Sequence, residues 1–234
     1  MVSILIPIYN GIEYINESVS SVLEQTYDDW EIIIGVNGHE ENSNVYKMAY
    51  DYQELDEKIK VLDLFQIKGK SNALNEMIKY CKYEYVAILD VDDIWLPEKL
   101  EKQAVYMNQY DVIGTQCVYF GDIENINPKI PLGDISSSDF TQVNPIINSS
   151  VIIKKNLCNW ISDFDGVEDY DMWLRLRKQK KTFFNIEEVL VKHRIHKQSA
   201  FNSQNQQAKL VQILNNYKFG SVSYTHLRAH ETCV

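Results

Sequence analysis

Three carboxylate side chains fall within four residues of this sequence: Asp90, Asp92 and Asp93, in the segment LDVDD. They follow a short apolar run, which predicts a buried strand that ends where the acids begin. Carboxylates this close repel one another unless a cation or a hydrogen-bond donor neutralises them. Their oxygens suit Mg²⁺ or Mn²⁺, which keep coordination positions open for substrate phosphates. The segment predicts a divalent-metal site, and a solvated acidic turn before the next helix is the competing interpretation.

A second acidic pair comes later in the chain, where Glu168 and Asp169 open the segment EDYDMWLRL. Apolar residues at helical spacing follow, so the pair is predicted to lie in the first turn of a helix. Asp169 and Trp173 are four residues apart and share one helical face. A carboxylate in this position suits a general base that acts on a hydroxyl group. Acids also favour helix N-termini for electrostatic reasons alone.

Two histidines lie in the basic segment KHRIHKQS, at positions 193 and 196. The segment also contains Lys192, Arg194 and Lys197, so it forms a local basic cluster in an acidic chain. The cluster is suited to a diphosphate, and His196 to a metal ion. Basic side chains on the surface after a strand are the alternative.

Lys68 and Lys70 flank a glycine in the segment KGKSNALN, just before a predicted helix. Ammonium groups and backbone N–H groups at a helix start can bind phosphate. The GxxxxGK[ST] spacing of a P-loop is missing, and a solvated loop is the competing interpretation.

The elements that position these residues follow from hydrophobic periodicity. Strands are predicted over residues 2–8, 31–36, 59–64 and 85–89, with helices over 12–25, 42–53 and 70–80 between them. This alternation predicts an α/β fold with a mostly parallel sheet and helices on both faces. Ligands bind such sheets beyond the carboxyl ends of the strands. Tyr9, Asn37 and Asp90 to Asp93 are therefore expected on one edge of the sheet.

The second half of the chain is less regular. A helix is predicted over 97–109 and a strand over 111–119, followed by an irregular stretch over 121–148. Strands over 149–153, 182–186 and 189–191 and helices over 169–180 and 206–217 complete the pattern. One domain is expected over residues 1–220. Residues 221–234 lose the helical periodicity and resemble translated vector sequence, so a non-native tail is predicted there.

Composition narrows the class of function. The formal net charge of −10 argues against a nucleic-acid or anionic-membrane surface, because phosphate-rich partners would be repelled. The four cysteines are widely scattered and suggest reduced thiols in a cytosolic protein. No apolar run approaches the roughly 18 residues of a membrane span. A soluble cytoplasmic protein is expected, with peripheral association at the inner face of the membrane left open.

Taken in order, the motifs resemble family 2 glycosyltransferases with the GT-A fold. The matching segments are VSILIPIYN, SVLEQTY, EIIIGVNG, GKSNALN, AILDVDDIWLPEKLEKQ, EDYDMWLRL and HRIHKQS. They cover about residues 1 to 200. Each motif alone is weak, whereas their order and spacing together are specific.

The resemblance implies roles on the side of the sugar donor. Tyr9 and Asn37 would line the nucleobase pocket, and Asp90 would bind near the ribose or the diphosphate. Lys70 is a further candidate for contact with the diphosphate.

The resemblance also implies a metal site and a catalytic base. Asp92 would be the chief ligand of Mn²⁺ or Mg²⁺, with Asp90 and His196 as further ligands, and His196 would sit over the diphosphate. Asp169 would be the base, with Glu168 as its neighbour.

One segment departs from the family pattern. Family members usually carry two aspartates where this chain has Val36 and Asn37, and Gly-Ser where it has Gly38 and His39. Asn37 still accepts a hydrogen bond through its carbonyl, but it adds a donor and lacks the charge. The identity of the nucleobase therefore stays open.

The function implied is a metal-dependent inverting glycosyltransferase of the hexosyltransferase type. It would move a sugar from a nucleoside-diphosphate sugar, with UDP favoured, to a glycan or lipid-linked acceptor in surface glycan synthesis. A non-catalytic domain that binds sugar nucleotides is one alternative. A phosphatase like the haloacid dehalogenases is another, because ILDVDD loosely resembles their nucleophile strand.

Overall fold

The computed structural model describes residues 1–196 and 206–217 of the chain. The strands of this part are β1 (Val2–Ile8), β2 (Trp30–Asn37), β3 (Ile59–Leu64), β4 (Tyr85–Ile88), β5 (Ile94–Trp95), β6 (Val112–Gly121), β7 (Gly133–Asp134), β8 (Ile152–Lys154) and β9 (Phe183–Ile195). Its α-helices are α1 (Ile15–Leu23), α2 (Asn44–Leu55), α3 (Lys70–Met77), α4 (Lys99–Ala104), α5 (Glu168–Lys178) and α6 (Gln206–Tyr217).

The strands of the described residues form one sheet in the order β3-β2-β1-β4-β8-β6-β9-β5, with β7 added beside β9. Its first four strands are parallel, as predicted. The other half is mixed, because β8 runs antiparallel to both β4 and β6 while β6 and β9 are parallel. The α/β class is confirmed, and its parallel part is the half that carries the N-terminal motifs.

Helices cover both faces of the sheet, and β1 shows why. All seven of its residues are buried, as expected of a strand covered on both sides. Its Leu5 packs with α3, α5 and α6 on one face. The neighbouring Ile4 and Ile6 point the other way and pack with α1, α2 and α4, as the two-residue period of a strand requires.

Several element boundaries differ from the predictions. The predicted helix over 97–109 shortens to α4, because i→i+3 bonds such as that from the Tyr106 N–H to the Gln103 carbonyl continue the chain as turns. The two short strands predicted over 182–191 are one strand, β9, whose pairing with β6 shifts register near Gln116. Strands β5 and β7 were not predicted, since two residues are too few to show a period.

The predicted tail over residues 221–234 lies outside the described residues and stays a prediction. No helix in the described part of the chain is both long and apolar enough to cross a membrane.

Candidate functional site

The candidate site forms where three parallel strands end side by side. Tyr9 follows β1 directly, and Asn37 is the last residue of β2, whose Val36 pairs with Ile8. The Leu89 N–H donates to the Leu5 carbonyl, which places Asp90 just beyond β1 on the other side. The edge predicted for these residues is confirmed.

At the β1–β2 end, an exposed aromatic ring and a buried amide lie at the ends of adjacent strands. Tyr9 is 59% exposed, whereas Asn37 is 2% exposed. The Tyr9 ring lies over Gly38, where a Cβ atom would come within 2.6 Å of the ring, so this close contact requires glycine. His39 Nε2 lies 2.6 Å from the Tyr9 carbonyl oxygen. An aromatic face beside a buried carboxamide is suited to a flat, hydrogen-bonding ligand such as a nucleobase.

The first aspartate of the LDVDD segment faces a lysine and an amide. Lys70 Nζ donates to Asp90 Oδ1 at 2.5 Å, and Asn148 Nδ2 donates to Asp90 Oδ2 at 3.1 Å. Burial opposes ionisation of Asp90, but Lys70 and these hydrogen bonds hold the pKa of its carboxyl below the ordinary value. Asp90 is therefore an ionised group whose charge is already paired.

The second aspartate lies close to two other carboxylates and to a histidine. Asp92 Oδ2 lies 2.9 Å from His196 Nε2, and burial together with Asp93 and Asp90 raises the pKa of the Asp92 carboxyl. A divalent cation at Asp92 would relieve this repulsion, so the donor set fits Mg²⁺ or Mn²⁺. No three His, Cys, Asp or Glu side chains converge as a preformed metal site within residues 1–196 and 206–217. Two of the three predicted ligands, Asp92 and His196, contact each other, whereas Asp90 forms an ion pair with Lys70. The metal site stays a prediction.

The third aspartate anchors the turn to β9. Asp93 is fully buried, and its oxygens lie 2.9 Å from His193 Nδ1 and 2.8 Å from the donating Arg194 N–H. Burial opposes a charged imidazole at His193, but the carboxylates of Asp93, Asp92 and Asp90 together outweigh it and raise the pKa of His193 to about 9. The Arg194 guanidinium donates to the Asp92 carbonyl at 2.9 Å and lies 4.3 Å from the rings of both Tyr14 and Phe120. His193 and Arg194 of β9 therefore fix the turn that contains Asp92 and Asp93.

Lys70 connects the two acidic motifs. Its ammonium group lies 2.5 Å from Asp90 and 3.5 Å from Glu168, which is only 5% exposed. Burial would lower the pKa of Lys70, but the carboxylates of Asp90 and Glu168 more than compensate and keep it above the ordinary value. A permanent positive charge thus stands between the end of β4 and the start of α5.

The predicted base, Asp169, lies in the first turn of α5 and is partly buried. Its Oδ2 accepts a hydrogen bond from Asn144 Nδ2 at 3.0 Å. Burial, followed by the charge of Glu168, raises the pKa of Asp169 to about 6. Such a carboxyl group is ionised at neutral pH yet basic enough to take a proton from an attacking hydroxyl group.

Three polar residues near the site were not predicted: Asn144, Asn148 and Asp165. The two asparagines come from the irregular stretch and reach Asp169 and Asp90. Asp165 Oδ1 accepts from the Ser71 N–H at 2.8 Å, at the start of α3. Each contact joins residues at least 25 positions apart, so no local spacing could have indicated it.

Comparison with known proteins agrees with the motifs. The family model described as "Glycosyl transferase family 2" matches residues 3–159. Among curated proteins, the O-antigen biosynthesis glycosyltransferase WbnJ of Escherichia coli is 31% identical over 219 residues, covering 87% of this chain and 83% of WbnJ. The UDP-Glc:alpha-D-GlcNAc-diphosphoundecaprenol beta-1,3-glucosyltransferase WfgD of the same species is 31% identical over 185 residues, covering 76% of this chain and 70% of WfgD.

Solved structures share the fold. Staphylococcus aureus TarS 1-349 in complex with UDP superimposes with a TM-score of 0.68 at 15% identity, covering 92% of this chain and 70% of that one. The mannosyltransferase PcManGT from Pyrobaculum calidifontis, in complex with GDP-Man and Mn²⁺, gives a TM-score of 0.69 at 16% identity over 95% of this chain and 65% of that one. Both are similar in fold alone, and both agree with the GT-A expectation.

Proposed function

The chain belongs to glycosyl transferase family 2, and from that premise we propose a metal-dependent inverting transfer of a sugar from a nucleoside-diphosphate sugar to a hydroxyl acceptor. The observation that carries this proposal is the bridge made by Lys70 between Asp90 and Glu168. The Lys70 ammonium group contacts both Asp90, which we assign to the donor side, and Glu168, the neighbour of the proposed base Asp169. Phosphatase chemistry has no comparable support.

The reaction is a single displacement at the anomeric carbon. Asp169 accepts the proton of the acceptor hydroxyl as the oxygen forms its bond to that carbon. The bond from the anomeric carbon to the diphosphate oxygen breaks on the opposite face, so the configuration inverts. Lys70 would offset the charge that grows on the departing diphosphate, and its pairing with Asp90 supports this role.

A divalent ion, Mn²⁺ or Mg²⁺, would be held by Asp92 and His196, with Asp90 beside them. When bound, it would supply positive charge to the diphosphate of the donor and the leaving group. The raised pKa of Asp92 supports this assignment, because burial and the nearby carboxylates of Asp93 and Asp90 disfavour its charge and a cation would offset them. The Mn²⁺ named in the complex of PcManGT supports it by analogy of fold.

The donor is proposed to be a UDP-sugar. The amide of Asn37 would pair with one edge of the base, accepting at Oδ1 and donating at Nδ2, while Tyr9 covers the ring. Uracil presents an N–H group beside a carbonyl, which matches this pattern. TarS is named in complex with UDP and WfgD is named for UDP-Glc, which favours UDP over other donors.

The acceptor is proposed to be a glycan or a lipid-linked sugar of a surface polysaccharide. WbnJ is named for O-antigen biosynthesis, and WfgD for a diphosphoundecaprenol acceptor. An acceptor of that kind would place the enzyme at the inner face of the membrane, by peripheral association.

The decisive experiment measures release of nucleoside diphosphate from a panel of UDP- and GDP-sugars, with lipid-linked and free glycan acceptors and with Mn²⁺, Mg²⁺ or EDTA. We expect turnover with a UDP-sugar and metal, and its loss with EDTA.

Asp169→Asn should lower kcat by about 100-fold or more while donor binding persists, because only the base is removed. Asp92→Ala should instead abolish metal-dependent donor binding. Full activity of Asp169→Asn, or turnover that EDTA leaves unchanged, would contradict the proposal.

A further inference from the structure

Two asparagines of the irregular stretch touch the two acidic motifs at the same time. Asn144 Nδ2 donates to Asp169 Oδ2 at 3.0 Å, and Asn148 Nδ2 donates to Asp90 Oδ2 at 3.1 Å. The two donors are four residues apart in one short segment, here called the asparagine strap (residues 144–148). The acids they contact lie in segments separated by almost eighty residues of chain.

Hydrogen bonds from β9 hold the backbone of the strap. Asn185 of β9 is fully buried, and its Nδ2 donates to the carbonyls of Pro145 and Pro131 at 2.7 Å each. Pro145 and Ile146 are buried as well. These contacts restrain the backbone directly after Asn144, from which the Asn144 side chain reaches Asp169.

The other end of the strap is fixed to the LDVDD segment. Asn148 opens a 3₁₀ turn, and the hydroxyl of the next residue, Ser149, accepts a hydrogen bond from the Asp90 N–H at 3.1 Å. Ser150 Oγ donates to the Ile147 carbonyl at 2.8 Å and closes the turn. Backbone and side-chain contacts therefore both join this end to Asp90.

An amide donor beside a carboxylate does two things. It restricts rotation of the carboxylate, and it favours the ionised form, since a neutral carboxyl group makes a weaker acceptor. The charged groups around Asp169 are Glu168, which opposes ionisation, and Lys70, which favours it. The neutral donors are the Asn144 side chain and the Tyr170 backbone N–H, and the Asn144 donor can be removed by substitution without changing the net charge.

We propose that Asn144 is a positioning residue for the base Asp169 and that Asn148 is its counterpart for Asp90, so that the strap sets the base and the donor-side carboxylate in a fixed relation. This inference rests on the proposed function. It assigns the irregular stretch a part in the reaction that the acidic motifs alone do not reveal.

The test separates the two ends of the strap. In Asn144→Ala, we expect the acidic limb of the kcat profile and the ¹³C carboxyl titration of Asp169 to move upward by about one pH unit, since the donor to the ionised form is lost. The Asp169 signal is assigned by its absence from Asp169→Asn. In Asn148→Ala, we expect a higher KM for the donor with the acidic limb unmoved. Gln142→Ala, an exposed position two residues before the strap, is the matched control.

A second variant covers the case in which Asn144→Ala folds poorly. Asn144→Asp keeps the shape and places a second carboxylate beside Asp169, so the pair should share a proton and its acidic limb should rise further. The inference is overturned if neither variant moves the titration of Asp169, or if Asn148→Ala moves it equally. Should the wild-type chain transfer no sugar while the NMR titration shifts as expected, the proposed function fails and the contact between Asn144 and Asp169 stands.

Discussion

Three aspartates that look equivalent in the sequence have separate surroundings in the fold. Asp90 is paired with Lys70, and Asp92 lies beside His196. Asp93 is buried and accepts a hydrogen bond from the Arg194 N–H of β9. Burial, followed by the charges of Asp93 and Asp90, raises the pKa of the Asp92 carboxyl. One turn can therefore combine two roles: Asp93 anchors it to β9, and Asp92 is the residue proposed to hold the cation.

At the residue scale, the raised pKa of Asp169 leads to a pH prediction. Because its pKa is about 6 and the base must be ionised, kcat should fall about tenfold per pH unit below pH 6. The fall should disappear from the residual activity of Asp169→Asn, which has no carboxyl group to titrate. The measurement is kcat at saturating donor and metal between pH 4.5 and 8, and a flat profile across pH 6 would contradict the assignment of the base.

The raised pKa of Asp169 also predicts that the fall in kcat below pH 6 is not caused by unfolding. The folded-state pKa of Asp169 lies above the ordinary value of a free aspartate, so the folded state binds more protons than the unfolded state between those two pH values. The contribution of Asp169 to stability therefore increases as the pH falls through 6. Circular dichroism at pH 5 should show a folded enzyme that has lost activity.

At the scale of elements, the start of α3 is stabilised by a residue from far along the chain. Gly69 precedes the helix with φ of +84°, and its lack of a side chain leaves room for Asp165, whose Oδ2 would lie 2.1 Å from a Cβ atom. Asp165 Oδ1 accepts from the Ser71 N–H, as a capping side chain would. The Asp165 carbonyl accepts from Lys209 of α6. Asp165 thus joins the start of α3 to the segment that precedes the proposed base, Asp169.

We therefore expect Asp165→Ala to destabilise the fold by about 1 kcal/mol, the usual cost of losing a cap. The midpoint of thermal unfolding should fall by roughly 2–4 °C in a chain of this size. The exposed neighbour Asp163 supplies the control, since Asp163→Ala leaves the helix start intact. Equal midpoints for the two variants would show that Asp165 does not act as a cap.

The elements also show how far sequence reasoning reaches. Strands β1 to β4 were predicted to within about a residue or two, because each is a mostly apolar segment bounded by polar turns. β9 was divided in two, since Glu187 and Glu188 interrupt its apolar pattern where its pairing with β6 shifts. The direction of β8 could not be predicted, because it depends on the path of the irregular stretch.

At the scale of the whole molecule, the edge of the sheet was predictable and the contacts across it were not. Topology places the ends of β1, β2 and β4 together, which explains why Tyr9, Asn37 and Asp90 could be grouped from sequence. The partners of the acids come from segments that no local rule connects to them, as Asn144 illustrates. The motifs indicated the chemistry, whereas tertiary packing decides the charge state of each group.

The overall negative charge predicts that donor binding depends on a metal ion. A chain with a net charge of −10 should not retain an anionic nucleotide unless local cations offset the repulsion. A UDP-sugar at 100 times its Kd should stabilise the fold by about 2.7 kcal/mol, or roughly 5–10 °C in the unfolding midpoint, when Mn²⁺ is present. The shift should shrink with EDTA and in Asp92→Ala, and it should persist in Asp169→Asn, because the base is not needed for binding. A shift of the same size with Mn²⁺ and with EDTA would mean that Lys70 and the other basic groups bind the donor without a metal, and the assignment of Asp92 would have to be withdrawn.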